Sequence, residues 1–175
     1  EIRGVEVVYD AAGMPRVAYS VSGAMALAAP VDGEHRAHDQ GQSLAVLVDA
    51  AMARFGRLDI LVGSAGGNRR KPFEETSDDD WGDIIQLNVM SHLRCARAAV
   101  PAMRQSSGGS IVFISSIFGR EGGGKGLSIY NTTKSAIISA AKIMAMELAG
   151  DGIRVNTVAP GSIRFPGGSW DRRVK

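Results

Sequence analysis

Tyr130 and Lys134 are the pair whose residue types and spacing most directly suggest chemistry. They stand four residues apart at the start of a predicted helix, so their side chains are neighbours on one face. A nearby ammonium favours tyrosinate and draws the phenol pKa down from about 10. The phenol then becomes a proton donor or acceptor usable near neutral pH. A single pair of this kind is within reach of chance, and a solvated helix start is the plain alternative. Its setting adds weight, because it follows a strand that ends on Ser115 and Ser116.

The elements that must position these residues alternate along the chain. Short strands are predicted over 5–9, 26–31 (ending at Asp32), 58–62 and 153–158. The apolar run 111–114 suits a strand buried on both faces. Leu44, Leu47, Val48, Ala51, Met52 and Phe55 recur at helical spacing over 43–55, and Gly56 follows as a stop. Thr76 and Ser77 precede three aspartates, which marks a helix start with anions on the helix dipole. A second helix follows over 88–103, and a long one over 130–149 is stopped by Gly150 and Gly152. Strands separated by helices imply parallel crossovers and a Rossmann-like, doubly wound α/β sheet. Ligands bind such sheets outside the carboxyl ends of the strands. Small residues collect at three of those ends: residues 63–67, Ser115-Ser116, and Pro160-Gly161-Ser162. Each could be an ordinary loop; together they leave room for a flat ligand lying on backbone.

Composition narrows the classes. The chain has 175 residues, and its formal charge of +2 is too small and scattered to argue for nucleic acid. It has no apolar run of about 18 residues, so no membrane-spanning helix is expected. Cys95 is the only cysteine, which excludes an intramolecular disulfide and a cysteine-based zinc cluster. The lone thiol fits a reducing compartment, and residues 1–10 do not form a signal peptide, so a cytoplasmic location is expected with no resident metal. His35, His38 and His92 show no ligand spacing. Twenty-two glycines, roughly twice the usual share, ask for tight turns or close backbone approach to a ligand.

In order and spacing these segments resemble the classical short-chain dehydrogenase/reductase family, over residues 26–171. The resemblance runs from Phe55-Gly56-Arg57-Leu58-Asp59-Ile60-Leu61-Val62 into Ala65-Gly66, through Trp81 and Asn88, to Gly109-Ser110-Ile111-Val112-Phe113-Ile114-Ser115-Ser116. Tyr130-Asn131-Thr132-Thr133-Lys134 fits the Tyr-x-x-x-Lys signature, and residues 153–161 fit the final strand and its Pro-Gly turn. The resemblance implies an NAD(P)-dependent oxidoreductase that interconverts an alcohol and a carbonyl. Tyr130 would exchange the proton, and Lys134 would lower its pKa and bind the ribose. Ser116 would hydrogen-bond the substrate carbonyl, and Asn88 would hold a water of a proton relay. Asp32 would contact the adenine. Ser64, Ala65, Gly66, Pro160, Gly161 and Ile163 would border the coenzyme. A small-molecule alcohol or carbonyl is the implied partner. So is a homodimer or homotetramer formed through helices 88–103 and 130–149, the latter bearing Ala136, Ile137, Ala140, Ala141, Met144 and Leu148. For that row, plain core packing is the alternative.

The departures from the family pattern are specific. Its Thr-Gly-x-x-x-Gly-x-Gly turn, which offers backbone amides to the pyrophosphate, is absent from the chain. Its Asn-Asn-Ala-Gly reads Gly63-Ser64-Ala65-Gly66, and Phe165 stands where a threonine is common. The expectation is a single domain over 1–175 that is incomplete at both ends, lacking the first strand–helix unit and the part that covers the substrate. Asp10 could accept from a ribose 2′-hydroxyl, which leans toward NAD over NADP. Two other readings compete. Residues 119–126 nearly match a phosphate-binding loop, but Gly126 replaces the hydroxyl that would hold magnesium. A non-catalytic dinucleotide sensor or interaction protein could also use this fold.

Overall fold

The computed structural model describes residues 5–9, 15–20, 48, 49 and 51–163. Among the described residues five strands form one sheet: β1 (Val5–Tyr9), β2 (Pro15–Ser20), β3 (Ile60–Gly63), β4 (Gly109–Ile114) and β5 (Ile153–Val158), lying side by side in chain order. Strands β2 to β5 run parallel, as the alternation of strands and helices requires. At the edge, β1 pairs antiparallel with β2. Only residues 10–14 separate these two strands, whereas a parallel crossover needs a dozen or more. Strand β2 is absent from the sequence-based expectation, and the predicted strand over 26–31 lies outside the described residues. Pro15 is compatible with β2 because it is the strand's first residue.

The helices occupy the crossovers. Helix α1 is described over 48, 49 and 51–55, and Gly56 ends it. Helix α2 (Asp78–Ile85) passes through a π-helical segment (Gln86–Met90) into α3 (Ser91–Gln105), and α4 (Ser128–Leu148) joins β4 to β5. The aspartate run acts as predicted. Ser77 Oγ accepts from the Asp80 amide at 3.1 Å, and the Asp80 carboxylate accepts from the Ser77 amide at 3.1 Å, a reciprocal cap.

One core fixes how these elements sit. Leu61, Ile111, Phe113, Ile153 and Val155 point to one face of the sheet and are buried. Cys95, Ala96, Ala99, Ala102 and Met103 of α3, with Ile137 and Ala141 of α4, pack into the same cluster. The alanines of α3 let its backbone lie close to the sheet. Each large side chain buried here contributes roughly 1.5–3 kcal/mol. Strand β4 is not buried on both faces: Ile111 and Phe113 are buried while Val112 and Ile114 are only partly covered. Side chains alternate along a strand, and this core claims only every second one.

Ile129, Thr133, Ile137 and Ala141 recur every fourth residue of α4 and form its buried stripe. Tyr130 and Lys134 lie one residue along from that stripe, so they border the core. The apolar row predicted to meet a partner divides accordingly. Ile137 and Ala141 belong to the core, Met144 and Leu148 pack against it, and Ala136 is exposed. The large exposed apolar residues of α4 are Ile143 and Met146. No described helix is long and apolar enough to cross a membrane.

Ser77→Ala removes one arm of the reciprocal cap. It is expected to lower stability by about 1 kcal/mol, read as an earlier midpoint in denaturant unfolding; an unchanged midpoint would contradict the role given to this cap.

Candidate active site

The end of β4, the start of α4 and the turn after β3 converge on Lys134. This lysine is 4% exposed, and its Nζ donates to the main-chain oxygen of Ile114 at 2.9 Å. An ammonium carries three donors, and this is the one hydrogen bond it makes among the described residues. Burial pushes its pKa below the ordinary lysine value. Nζ stands over the ring of half-buried Tyr130, 5.8 Å from the centroid. The Tyr130 phenol has no hydrogen-bond partner among the described residues.

Asn88, in the π-helical segment, is wholly buried and clamps two elements together. Its Oδ1 accepts from the Gly67 amide at 2.8 Å, and its Nδ2 donates to the Gly67 carbonyl at 3.0 Å. Nδ2 also donates to Thr133 Oγ1 at 2.9 Å, and that hydroxyl donates to the Tyr130 carbonyl at 2.9 Å. The turn after β3 is thus tied, through one amide and one hydroxyl, to the backbone of Tyr130. Gly66 lies exposed beside this clamp. A Cβ there would stand 3.1 Å from Lys134 Nζ and 3.6 Å from Asn88 Oδ1, so the missing side chain leaves an approach to both atoms.

Ser115 is structural in this arrangement. Its amide donates to the Val158 carbonyl at 2.8 Å and its hydroxyl to the Lys134 carbonyl at 2.8 Å, joining β4, β5 and α4. Ser116 is 7% exposed and accepts from the Phe118 amide at 3.2 Å, capping a short 3₁₀ turn. Its hydroxyl proton has no acceptor among the described residues. The next amide, of Ile117, donates to the Pro160 carbonyl at 3.0 Å and brings the β5 turn alongside. Gly161 and Ile163 of that turn are exposed. Ser64 is partly buried, whereas the methyl of Ala65 points into the core, which leaves only its backbone for a ligand. Asp32 and Asp10 lie outside the described residues.

Two features were not apparent from spacing. Asp80, the capping residue, also accepts from Lys71 Nζ at 2.6 Å and Arg69 at 2.8 Å. These two cations hold its carboxyl well below the usual carboxylate range and anchor the segment after Gly67. His92 is 1% exposed, with Nε2 3.1 Å from the Gly63 carbonyl and Nδ1 3.2 Å from Ser91 Oγ. It meets Phe113 edge to face at 5.3 Å. Burial, and then the charge of Lys134, pull its pKa down to about 4. A Cβ on Gly63 would lie 2.7 Å from this ring and 2.9 Å from Phe113. The imidazole therefore fills the space that a side chain at 63 would need. The one sequence signal for this was Gly63 itself, standing where the family pattern has asparagine. Cys95 is buried, and its thiol is pushed up to about 12 by that burial, so it is inert.

Two measurements test this packing. Gly63→Ala should destabilise the fold by about 1–3 kcal/mol, and His92→Ala in the same chain should relieve part of that loss; strictly additive effects would contradict the contact. His92 is neutral in the fold, with a pKa below its ordinary 6.5. The unfolded chain binds the extra proton, so stability should fall as pH drops from 6.5 toward about 4. His92→Gln should flatten the stability profile across that window.

Residues 10–169 match the family described as short chain dehydrogenase. The chain is 40% identical over 119 residues to cyclopentanol dehydrogenase of Comamonas sp. (strain NCIMB 9872), covering 68% of this chain and 47% of that protein. It is 38% identical over 121 residues to the 3-oxoacyl-(acyl-carrier-protein) reductase of Escherichia coli (strain K12), covering 69% and 49%. The chain spans about half the length of these relatives. A crystal structure of a short-chain dehydrogenase from Streptomyces avermitilis superposes with a TM-score of 0.67 at 37% identity, covering 73% of this chain and 46% of that one. With Tyr130, Lys134 and Asn88 gathered at the sheet's carboxyl edge, the match makes this chain a member of the short-chain dehydrogenase family of oxidoreductases.

Proposed function

We propose that this chain carries the catalytic centre of an NAD(P)-dependent enzyme interconverting an alcohol and a carbonyl, with Tyr130 as general acid and base. The observation that carries this reading is Lys134: a buried ammonium with a single acceptor among the described residues, set over the Tyr130 ring and bordered by side-chain-free Gly66. An ammonium with donors to spare suits the two hydroxyls of a ribose, which is the test this site offers of a dinucleotide. The residues that would hold it are Ser64, the backbone of Ala65 and Gly66, Lys134, Pro160, Gly161 and Ile163. A bound nicotinamide supplies or accepts the hydride.

In the oxidative direction Tyr130, as phenolate, takes the alcohol proton while the carbinol carbon loses hydride. In the reductive direction its phenol returns the proton to the carbonyl oxygen. Lys134 sets a positive charge beside the Tyr130 ring. Ser116 donates its uncommitted proton to the substrate oxygen, where negative charge develops. Both Asn88 amide protons are taken by protein, so its part in a proton relay reduces to the remaining capacity of Oδ1, beside Gly66. The same reading takes the intact enzyme to be a cytoplasmic homo-oligomer acting on a small molecule. Its coenzyme is NAD if Asp10 reaches the ribose. A phosphate-binding loop at 119–126 is disfavoured, because α4 opens at Ser128 and not at Lys125.

Tyr130→Phe in the full-length protein is expected to lower coenzyme-coupled oxidation of an alcohol panel by about 10²- to 10⁴-fold. Coenzyme binding, followed by NADH fluorescence, should persist. Undiminished turnover would overturn the mechanism, and coenzyme binding without turnover by the unmodified protein would favour the sensor reading.

A further inference from the structure

A second feature lies beside this centre. A groove of about 440 Å³ opens between the segment after Gly67 and the loop before α4. The run Arg69-Arg70-Lys71 treats its three cations unequally. Arg69 is paired with Asp80 and Asp83, and Lys71 with Asp80. Arg70 has no carboxylate partner among the described residues. Its Nε donates to the Lys125 carbonyl at 3.1 Å, which fixes the side chain across the groove and leaves its terminal nitrogens for another acceptor. Lys125 lines the same groove, also without an ion pair among the described residues. Glu74, the acidic residue of the lining, bridges to neither. Phe73, 69% exposed, and Pro72 add an apolar surface.

Both walls lead to the reacting centre. Arg70 follows Gly66 by four residues, and Lys125 precedes Tyr130 by five. The Lys71 amide donates to the Gly126 carbonyl at 3.2 Å, so the walls are joined by backbone as well as by Arg70. We infer that this groove receives an anionic group, a carboxylate or a phosphate, carried by the substrate away from its reacting carbon. Arg70 supplies a preorganised fork and Lys125 a second charge, while Phe73 covers the connecting carbon skeleton. This inference rests on the oxidoreductase reading for the word substrate, though not for the groove's affinity for anions.

The experiment compares matched carbonyl compounds of one skeleton, neutral, carboxylated and phosphorylated, with the full-length coenzyme-loaded protein. Wild type should prefer an anionic member, and whether that is the carboxylate or the phosphate identifies the group. In Arg70→Gln and Lys125→Gln the ratio of kcat/KM for the anionic over the neutral compound should fall about tenfold each, through KM. Arg97→Gln, an exposed change elsewhere, should leave that ratio alone. An unchanged ratio in the double variant overturns the inference, as does a loss confined to the KM for coenzyme. A measurement independent of turnover separates the two proposals: titration with inorganic phosphate, followed by the backbone amide signals of Lys125 and Gly126. Saturable shifts that vanish in the double variant support the groove even if no carbonyl is turned over, which would sink the oxidoreductase reading alone. Absence of such shifts in wild type, together with no preference for either anionic compound, overturns the groove.

Discussion

A lysine ammonium held out of water is the constraint on which the site depends. A buried charge is costly unless its donors find acceptors. Among the described residues Lys134 finds one, at the last residue of β4, and an aromatic face beside it. The arrangement works only if the end of β4 and the second turn of α4 keep a fixed separation. Ser115 enforces it by bonding to the carbonyl of Lys134 itself, so the residue is gripped at its backbone as well as at its tip. Donors left over in a buried position suit a polar ligand, and Gly66 leaves room on one side for one to approach.

The second support comes from the opposite direction. Asn88 and Thr133 pass the position of the β3 turn to the backbone of Tyr130 through hydrogen bonds of 2.8 to 3.0 Å. Buried networks of this kind specify geometry when every member is satisfied. His92 steadies the same turn one residue before it begins, at Gly63, by shape and by a hydrogen bond. The charge of Lys134 reaches His92 as well, lowering the pKa of its imidazole further after burial has done so.

Much of this was legible before any coordinates. Tyr130, Lys134 and Ser116 stand at spacings set by a helix turn and a strand end, and strands β3 to β5 with their helices follow from local apolar pattern. What could not be read depends on contacts distant in sequence. The antiparallel β1–β2 edge rests on the pairing of two short segments, and Pro15 argues against regular structure until it is known to open a strand. The half-covered state of β4 depends on which faces receive helices, not on the apolar run itself. His92 carries no ligand spacing, and its role emerges only when α3 lies against Gly63. Asp80 was visible as a cap, but its pairs with Arg69 and Lys71 come from a segment that folds back across it.

The π-helical segment sets a rule of phase for the whole of α3. A π turn holds one residue more than an α turn, and each residue of an α-helix advances the side chains by roughly 100°. Asn88 faces the β3 turn while Ser91, His92, Cys95, Ala96 and Ala99 are buried, because the π winding takes up that extra residue between the two stretches of helix. Winding the same five residues as ordinary α-helix would rotate everything beyond them by about a quarter turn, whereas losing one of them would let the helix run on in phase without the bulge that carries Asn88. The continuous-looking helix therefore owes the facing of α3 to how one short segment is wound, and a one-residue loss there would cost the placing of Asn88 before it cost the packing of α3.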